Sequence, residues 1–577
     1  MYKHLLIVTA ILALNPGCAR EQFDDTSKHA EATEAAATTG QVSPPRLLPA
    51  PATEYHEVAS AADQAAVSFT VGYAPVMKAR MATSANLADS GGHGFWQQQD
   101  TENYLAFSDN LIQSVVTHPV STFSVDVDTA AYSNVRRMLV REGRLPPAAA
   151  VKAEEFINYF DYGYDAPRSG DAPFSIQTGL AQAPWNAKTQ LLRIGLQGYE
   201  QIQAERPAAN LVFLIDVSGS MQAPFKLGLV KSSLRLLVNQ LRAQDRIALV
   251  VYAGAAGLVL ESTPGDQRAT IMAAIDGLEA GGSTNGEAGI RLAYDVAAQH
   301  LIAEGINRVL IASDGDLNVG TTNIEALQEL VSREKQRGIA LSTLGFGSGN
   351  YNYALMEQIA DKGDGNAAYI DNLKEAHKVL VRELGSTLQT IASDVKIQVE
   401  FNPALVSEYR LIGYENRLLA REDFSNDKVD AGDIGAGHTV TALYEVVMKG
   451  SGGERLEQLR YGAPDSATEA AEFSGELAFV RLRYKNPGEQ DSRELMRVIE
   501  TSEAGGSMAE MDDDYRFAVA VAGFAQLLRG GKYTGDWNYN SLLTLLDDLR
   551  GSDPYGYRGE MKALVELSRD LSGTNIL

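Results

Sequence analysis

The alternation of apolar and polar positions changes period several times along this chain, and the changes divide it. Thr122-Phe-Ser-Val-Asp-Val-Asp-Thr alternates as a half-buried strand does, and 130–141 then sets Val135, Met138 and Leu139 on one helical face. Pro146-Pro147 breaks the chain before a second helix in which Val151, Phe156, Ile157 and Phe160 can pack together. Strands are predicted at 174–180 and 190–196. At Leu211 an apolar run of β-type composition begins, and it stops abruptly at Asp216. Leu227, Val230, Leu234, Leu237 and Leu241 follow at helical steps, then a strand at 246–252 and helices near 268–278 and 286–301. A second apolar strand ends at Asp314, followed by a helix at 323–337, a strand at 339–345 and helical turns over 353–384.

Strands alternating with helices predict an α/β fold built on a doubly wound, mostly parallel sheet. Beyond it, Val395-Lys-Ile-Gln-Val-Glu-Phe restores strict alternation, and 439–448 and 477–484 read as further strands. With β-strands on both sides, the α/β domain is expected to be inserted in, or flanked by, a β-rich sandwich. Apolar helices at 515–528, 542–549 and 561–571 close the chain.

Candidate chemistry lies where the two apolar strands end. Asp216, Ser218 and Ser220 place oxygen-bearing side chains at every second position past the first strand. In an open α/β sheet the crevice beyond the carboxyl ends of the strands is where ligands bind. Ser218 and Ser220 could instead cap the following helix, as Ser commonly does. Two distant segments match them in character: Gly281-Gly-Ser-Thr-Asn-Gly, and the strand that delivers Asp314-Gly315.

Together these segments resemble the von Willebrand factor type A family, whose metal-ion-dependent adhesion site is Asp-x-Ser-x-Ser, then a Thr, then Asp-Gly. The resemblance implies that Asp216, Ser218, Ser220, Thr284 and Asp314 are metal ligands, with Mg²⁺ or Mn²⁺ as the cofactor. Mg²⁺ takes roughly six oxygens at about 2.0–2.1 Å, which small hydroxyls and carboxylates can supply with water. In the family the remaining position typically takes an acidic group of a partner protein. Asp316 is read as a loop carboxylate of a turn-like Asp-Leu-Asn-Val-Gly stretch. The run from Phe123 to Arg137 looks like the N-terminal module of a bacterial subfamily of type A lipoproteins. That likeness extends over nearly all the chain past residue 120 and implies a C-terminal domain without an established activity.

Asp126, Asp128 and Thr129 also suggest metal ligands, yet a cap on the helix from Ala130, by Asp128 or Thr129, is favoured. Asp427, Asp430 and Asp433 are separated by glycine and other residues without the calcium-loop spacing, and are expected in a solvated turn.

The first residues change the picture of where the protein works. Lys3 precedes an apolar stretch at 5–14, too short to span a bilayer, and small residues lead to Cys18, the one cysteine of the chain. This looks like a bacterial lipoprotein signal over 1–18 with Cys18 as the lipidation point, although Asn15 and Pro16 depart from the usual residues there. Ala19 is not a retention signal by that likeness, which favours the outer membrane. Residues 19–120, rich in Ala, Thr, Ser, Glu and Pro, are expected to form a disordered tether of roughly 50 Å root-mean-square span. The further divisions are an N-terminal α/β module at 121–170, flanking β-strands at 171–209, the type A domain at 210–389, and a β-rich domain with late helices at 390–577.

Composition sharpens this in two respects. With 50 basic and 74 acidic residues the net charge is −24, which disfavours nucleic acid as a partner. No His-Glu-x-x-His, Gly-x-Ser-x-Gly or Walker-type phosphate loop is present, so an enzyme is not expected, with the C-terminal domain left open. The reading is a membrane-tethered, periplasm-facing, metal-dependent binding protein of the bacterial envelope. Its alternatives are a metal-dependent hydrolase, an assembly or chaperone-like adaptor, and a structural module whose site no longer binds metal.

Overall fold

The computed structural model describes residues 102–125, 128–167, 172–200, 206–283, 286–315, 317, 324–457, 473–503 and 506–574. Cys18, Thr284, Asp126, Asp316 and the expected tether up to residue 101 lie outside them. Residues 102–120, assigned to the tether on composition, belong to the folded body. Asn110 Nδ2 donates to Leu411 O and Gly413 O at 3.1 and 2.7 Å, Val115 is fully buried, and Gln113–Ser114 pairs with Val406–Ile412.

Two antiparallel sheets form the sandwich. Phe174–Ala183 and Asn186–Gly198, which precede the α/β domain, pair with each other, and the second also pairs with Thr439–Met448, which follows it. Val406–Ile412 extends this sheet. The other sheet is built around Thr390–Phe401, with Glu476–Lys485 and then Ser492–Glu500 on one side and Gly432–Gly435 and Val120–Ser124 on the other. Phe123, Leu192, Ile397, Tyr444 and Val480 fill the space between them. The inward residues alternate along each strand because successive side chains point to opposite faces.

The inserted domain carries six strands in the order Ala367–Ile370, Ala340–Phe346, Ile306–Ser313, Ala209–Asp216, Arg246–Tyr252, Ala256–Pro264, all parallel except the last. Every residue of Ala209–Asp216 is buried. Helices cover both faces of such a sheet, so its central strand reads as one continuous apolar run. The strand order reverses between Ala209–Asp216 and Ile306–Ser313, and the chain leaves these neighbours toward opposite edges. That switch point opens a crevice at their carboxyl ends, where Asp216 and Asp314 stand.

The late helices return to the N-terminal segment. Asp513–Leu528 starts at an Asp512 cap, whose carboxylate accepts from Tyr515 N at 2.6 Å, and is buried over most of its length. Its Phe517 and Phe524 meet Phe160 and Phe156 edge-on, with centroids 4.9 and 6.1 Å apart. Nearby, Arg136 on the Ala130–Glu142 helix joins three parts of the chain. Its guanidinium donates to Asp371 Oδ2 at 2.9 Å, Glu375 Oε2 at 2.7 Å and Glu560 Oε1 at 2.7 Å, and Tyr159 OH also donates to Glu375 at 2.6 Å.

Two local expectations change. Asp128 does not cap the Ala130–Glu142 helix; its Oδ1 accepts from Ala367 N at 2.8 Å, tying that helix's entry to the edge strand of the inserted sheet. Glu155 Oε2 accepts from Ala131 N instead, at 2.8 Å. Asp427 and Asp430 are exposed, but Asp433 lies on the Gly432–Gly435 strand, where burial and then the charge of Asp364 push its carboxyl up to about 8. A carboxyl packed against the inserted domain loses the hydration that an open turn would give it.

Candidate metal centre

Asp216 ends the central strand with no exposed surface. Its Oδ1 accepts from Ser218 N at 2.9 Å, which bends the chain out of the sheet and aims the next side chains across the crevice. Its Oδ2 accepts from Tyr252 OH and Ser313 Oγ, each at 3.2 Å, so both neighbouring strands hold it. Burial raises the Asp216 carboxyl to about 6, the Ser218 contacts oppose this, and the charge of Asp314 adds to it.

Ser218 is buried and Ser220 exposed, with their Oγ atoms 2.9 Å apart. The 281–283 loop is laced to them from the side: Gly219 N donates to Gly282 O at 3.0 Å and Gly281 N to Val217 O at 2.7 Å. Thr284 follows directly in sequence but lies outside the described residues. Asp314 is fully buried, and Gly315 after it adopts φ 88°. A Cβ there would stand 2.4 Å from Asn352 N, so only glycine lets the chain leave Asp314 in this direction.

The donor set fits a hard divalent ion. Adjacent corners of an octahedron with bonds of about 2.05 Å are about 2.9 Å apart, the separation of the two serine hydroxyls. Asp216 and Asp314, both fully buried, would supply charge directly or through water. Among the described residues no group of three or more His, Cys, Asp or Glu side chains is placed to hold a metal, so a softer, nitrogen- or sulfur-rich centre has no counterpart.

The structure thus brings Asp216, Ser218, Ser220 and Asp314 to one crevice. Sequence reasoning passed over four neighbours. Tyr252 ends its strand in register with Asp216, and Ser313 precedes Asp314. Lys226 Nζ contacts Asp314 Oδ2 at 2.8 Å and Asn350 Oδ1 at 3.2 Å. Lys226 had a signal of its own, since it shares the inward helical face with Val230.

Comparison with known proteins agrees with this architecture. The von Willebrand factor type A domain matches residues 210–382, a von Willebrand factor region matches 98–193, and the C-terminal region of "Uncharacterized protein YfbK" matches 386–571. The Escherichia coli (strain K12) protein of that name is 43% identical over 519 residues, which is 89% of this chain and 87% of the relative. The chain belongs to the YfbK family of von Willebrand factor type A proteins. The human inter-alpha-trypsin inhibitor heavy chain H3 is 28% identical over 258 residues, 42% of this chain and 28% of that one. Among solved structures, a von Willebrand factor type A protein from Catenulispora acidiphila spans 71% of this chain and 91% of its own, at 14% identity and TM-score 0.39. Type A domains typically bind a divalent metal.

Proposed function

We propose that this YfbK-family protein is a lipid-anchored, periplasm-facing binding protein of the bacterial envelope. Its type A domain holds Mg²⁺ or Mn²⁺ on Asp216, Ser218, Ser220, Thr284 and Asp314, and through the metal it captures an acidic group on a partner protein. The observation that carries this reading is the pair of serine hydroxyls 2.9 Å apart at the strand ends that also deliver two fully buried carboxylates. Such a set presents an ion at a surface crevice with coordination positions left for an outside oxygen. Type A domains are generally interaction modules, which agrees with a site composed for holding rather than for proton transfer.

Calorimetric titration of Mn²⁺ into the full-length protein in detergent, with acetate present as a carboxylate probe, tests the site. Binding is expected in the parent and lost in Thr284→Ala and Ser220→Ala, both of which keep the parent's circular dichroism. Unchanged binding in these variants would remove the proposed ligand set. The anchor is tested separately by fractionation: Cys18→Ser is expected to move the protein from the membrane to the soluble fraction.

A further inference from the structure

We propose that Lys226 is a built-in counter-charge that keeps the metal weakly held until an anionic partner arrives, so that ion and partner bind together or hardly at all. This rests on the metal-site reading above and adds the regulation of that site. Lys226 sits on the Pro224–Gly228 turn, immediately after the Asp-x-Ser-x-Ser loop, with only 7% of its side chain exposed.

Its position is fixed from both ends. The ammonium is held by Asp314 Oδ2 at 2.8 Å and Asn350 Oδ1 at 3.2 Å. The stem runs over Gly347, which adopts φ 85°, and a Cβ on that residue would stand 2.5 Å from Lys226 Cε. Glycine at 347 thus leaves the channel that the lysine fills. A surface lysine would swing away from an incoming cation, whereas this one is packed in place.

The charges then decide the order of events. Asp216 and Asp314 bring two negative charges and Lys226 one positive, so a divalent ion converts a net −1 to a net +1. Around side chains as buried as Asp216, Asp314 and Lys226 an uncompensated charge is costly, because little water is present to solvate it. One carboxylate from outside returns the assembly to neutrality. Without Lys226, two carboxylates balance the ion completely, and the metal would settle alone with no electrostatic demand for a partner.

The test is calorimetric titration of Mn²⁺ into the parent, Lys226→Met and Asp216→Asn, each with and without acetate as a carboxylate probe. Lys226→Met is expected to bind Mn²⁺ about tenfold or more tightly than the parent, as removal of a nearby like charge predicts. Acetate is expected to strengthen Mn²⁺ binding in the parent and not in Lys226→Met. Equal or weaker Mn²⁺ binding by Lys226→Met overturns the proposal and leaves Lys226 a structural ion pair. The same acetate effect in both proteins, including none, also overturns it. If Asp216→Asn binds as the parent does, or if no protein binds Mn²⁺ with or without acetate, the metal-site reading itself fails. Should the Met variant not fold, Lys226→Gln removes the charge while keeping a polar end toward Asn350.

Discussion

Asp216→Asn, in the absence of divalent ions, is expected to be more stable than the parent at neutral pH and to lose metal binding altogether. The buried carboxyl of Asp216 is raised to about 6, whereas in the unfolded chain it titrates near its ordinary value of about 3.9. A carboxyl raised on folding favours the folded state while protonated. That contribution is complete below about pH 4 and is lost as pH rises through about 6. At neutral pH the parent has given up about 3 kcal/mol in this way, at about 1.4 kcal/mol per unit.

Asparagine stays neutral and escapes the loss. Its side-chain carbonyl can keep the bond from Ser218 N, and the amide can donate to Tyr252 and Ser313, whose hydroxyls accept as readily as they donate. Melting curves in EDTA are expected to coincide near about pH 4 and to separate by several degrees at neutral pH, with the variant higher. Mn²⁺ added together with acetate raises the parent's curve and leaves the variant's where it was. A variant that melts below the parent at neutral pH would show that the carboxylate serves the fold rather than a ligand.

Arg136→Ala is expected to cause the largest loss of stability of any single change outside the candidate metal site, about 3–5 kcal/mol. Removal of the guanidinium leaves Asp371 and Glu375 buried without their cation, and that residual charge, more than the lost contact, sets the cost. Because Glu560 belongs to the Tyr557–Thr574 helix, the same change also loosens the late helices from the inserted domain. Limited proteolysis is expected to cut the variant ahead of that helix well before the parent. Glu560→Gln should cost under about 1 kcal/mol, since Glu560 is partly exposed and its loss leaves Arg136 with two carboxylates. Equal sensitivity of the two variants would contradict this account.

The parts of the fold that were legible in the sequence are those where period and burial agree. Leu211 to Ile215 read as a buried strand because both faces of it are covered, and Leu227 to Leu241 read as a helix because one face of it is. The insertion followed from strands on either side of an alternating α/β pattern. Six strands escaped notice: Gln113–Ser114 and Gly432–Gly435 are too short to show a period, and the other four have specific reasons. Ala256–Pro264 and Ser492–Glu500 are edge strands, and Leu258, Val259, Met496 and Val498 stay exposed, so no buried face imposes alternation. Val406–Ile412 buries Glu408 and Arg410, the latter paired to Glu445 at 2.9 Å, and charged residues at inward positions disguise the pattern. Ala367–Ile370 is four residues long and buried throughout, which periodicity cannot separate from a helical turn. At the site, Asp216 and Asp314 were legible because each ends an apolar run. For Lys226 the helical spacing with Val230 signals an inward position but not its role, because the carboxylate that gives it meaning lies 88 residues away.

The insertion of one domain into a sheet of another sets a problem of timing. Thr189 and Glu445, 256 residues apart, hydrogen-bond at 3.0 Å between adjacent strands of the sandwich. At about 5–20 residues per second, synthesis leaves the earlier strand without its neighbour for roughly 10–50 s. An unpaired strand edge of that length is a template for association with other chains. Early completion of the inserted domain shortens the exposure: once it has folded, its two ends emerge as fixed points, and the later strands search from a short stem instead of a loop of hundreds of flexible residues. The inserted type A domain is placed to serve also as the brace on which the surrounding sandwich is closed.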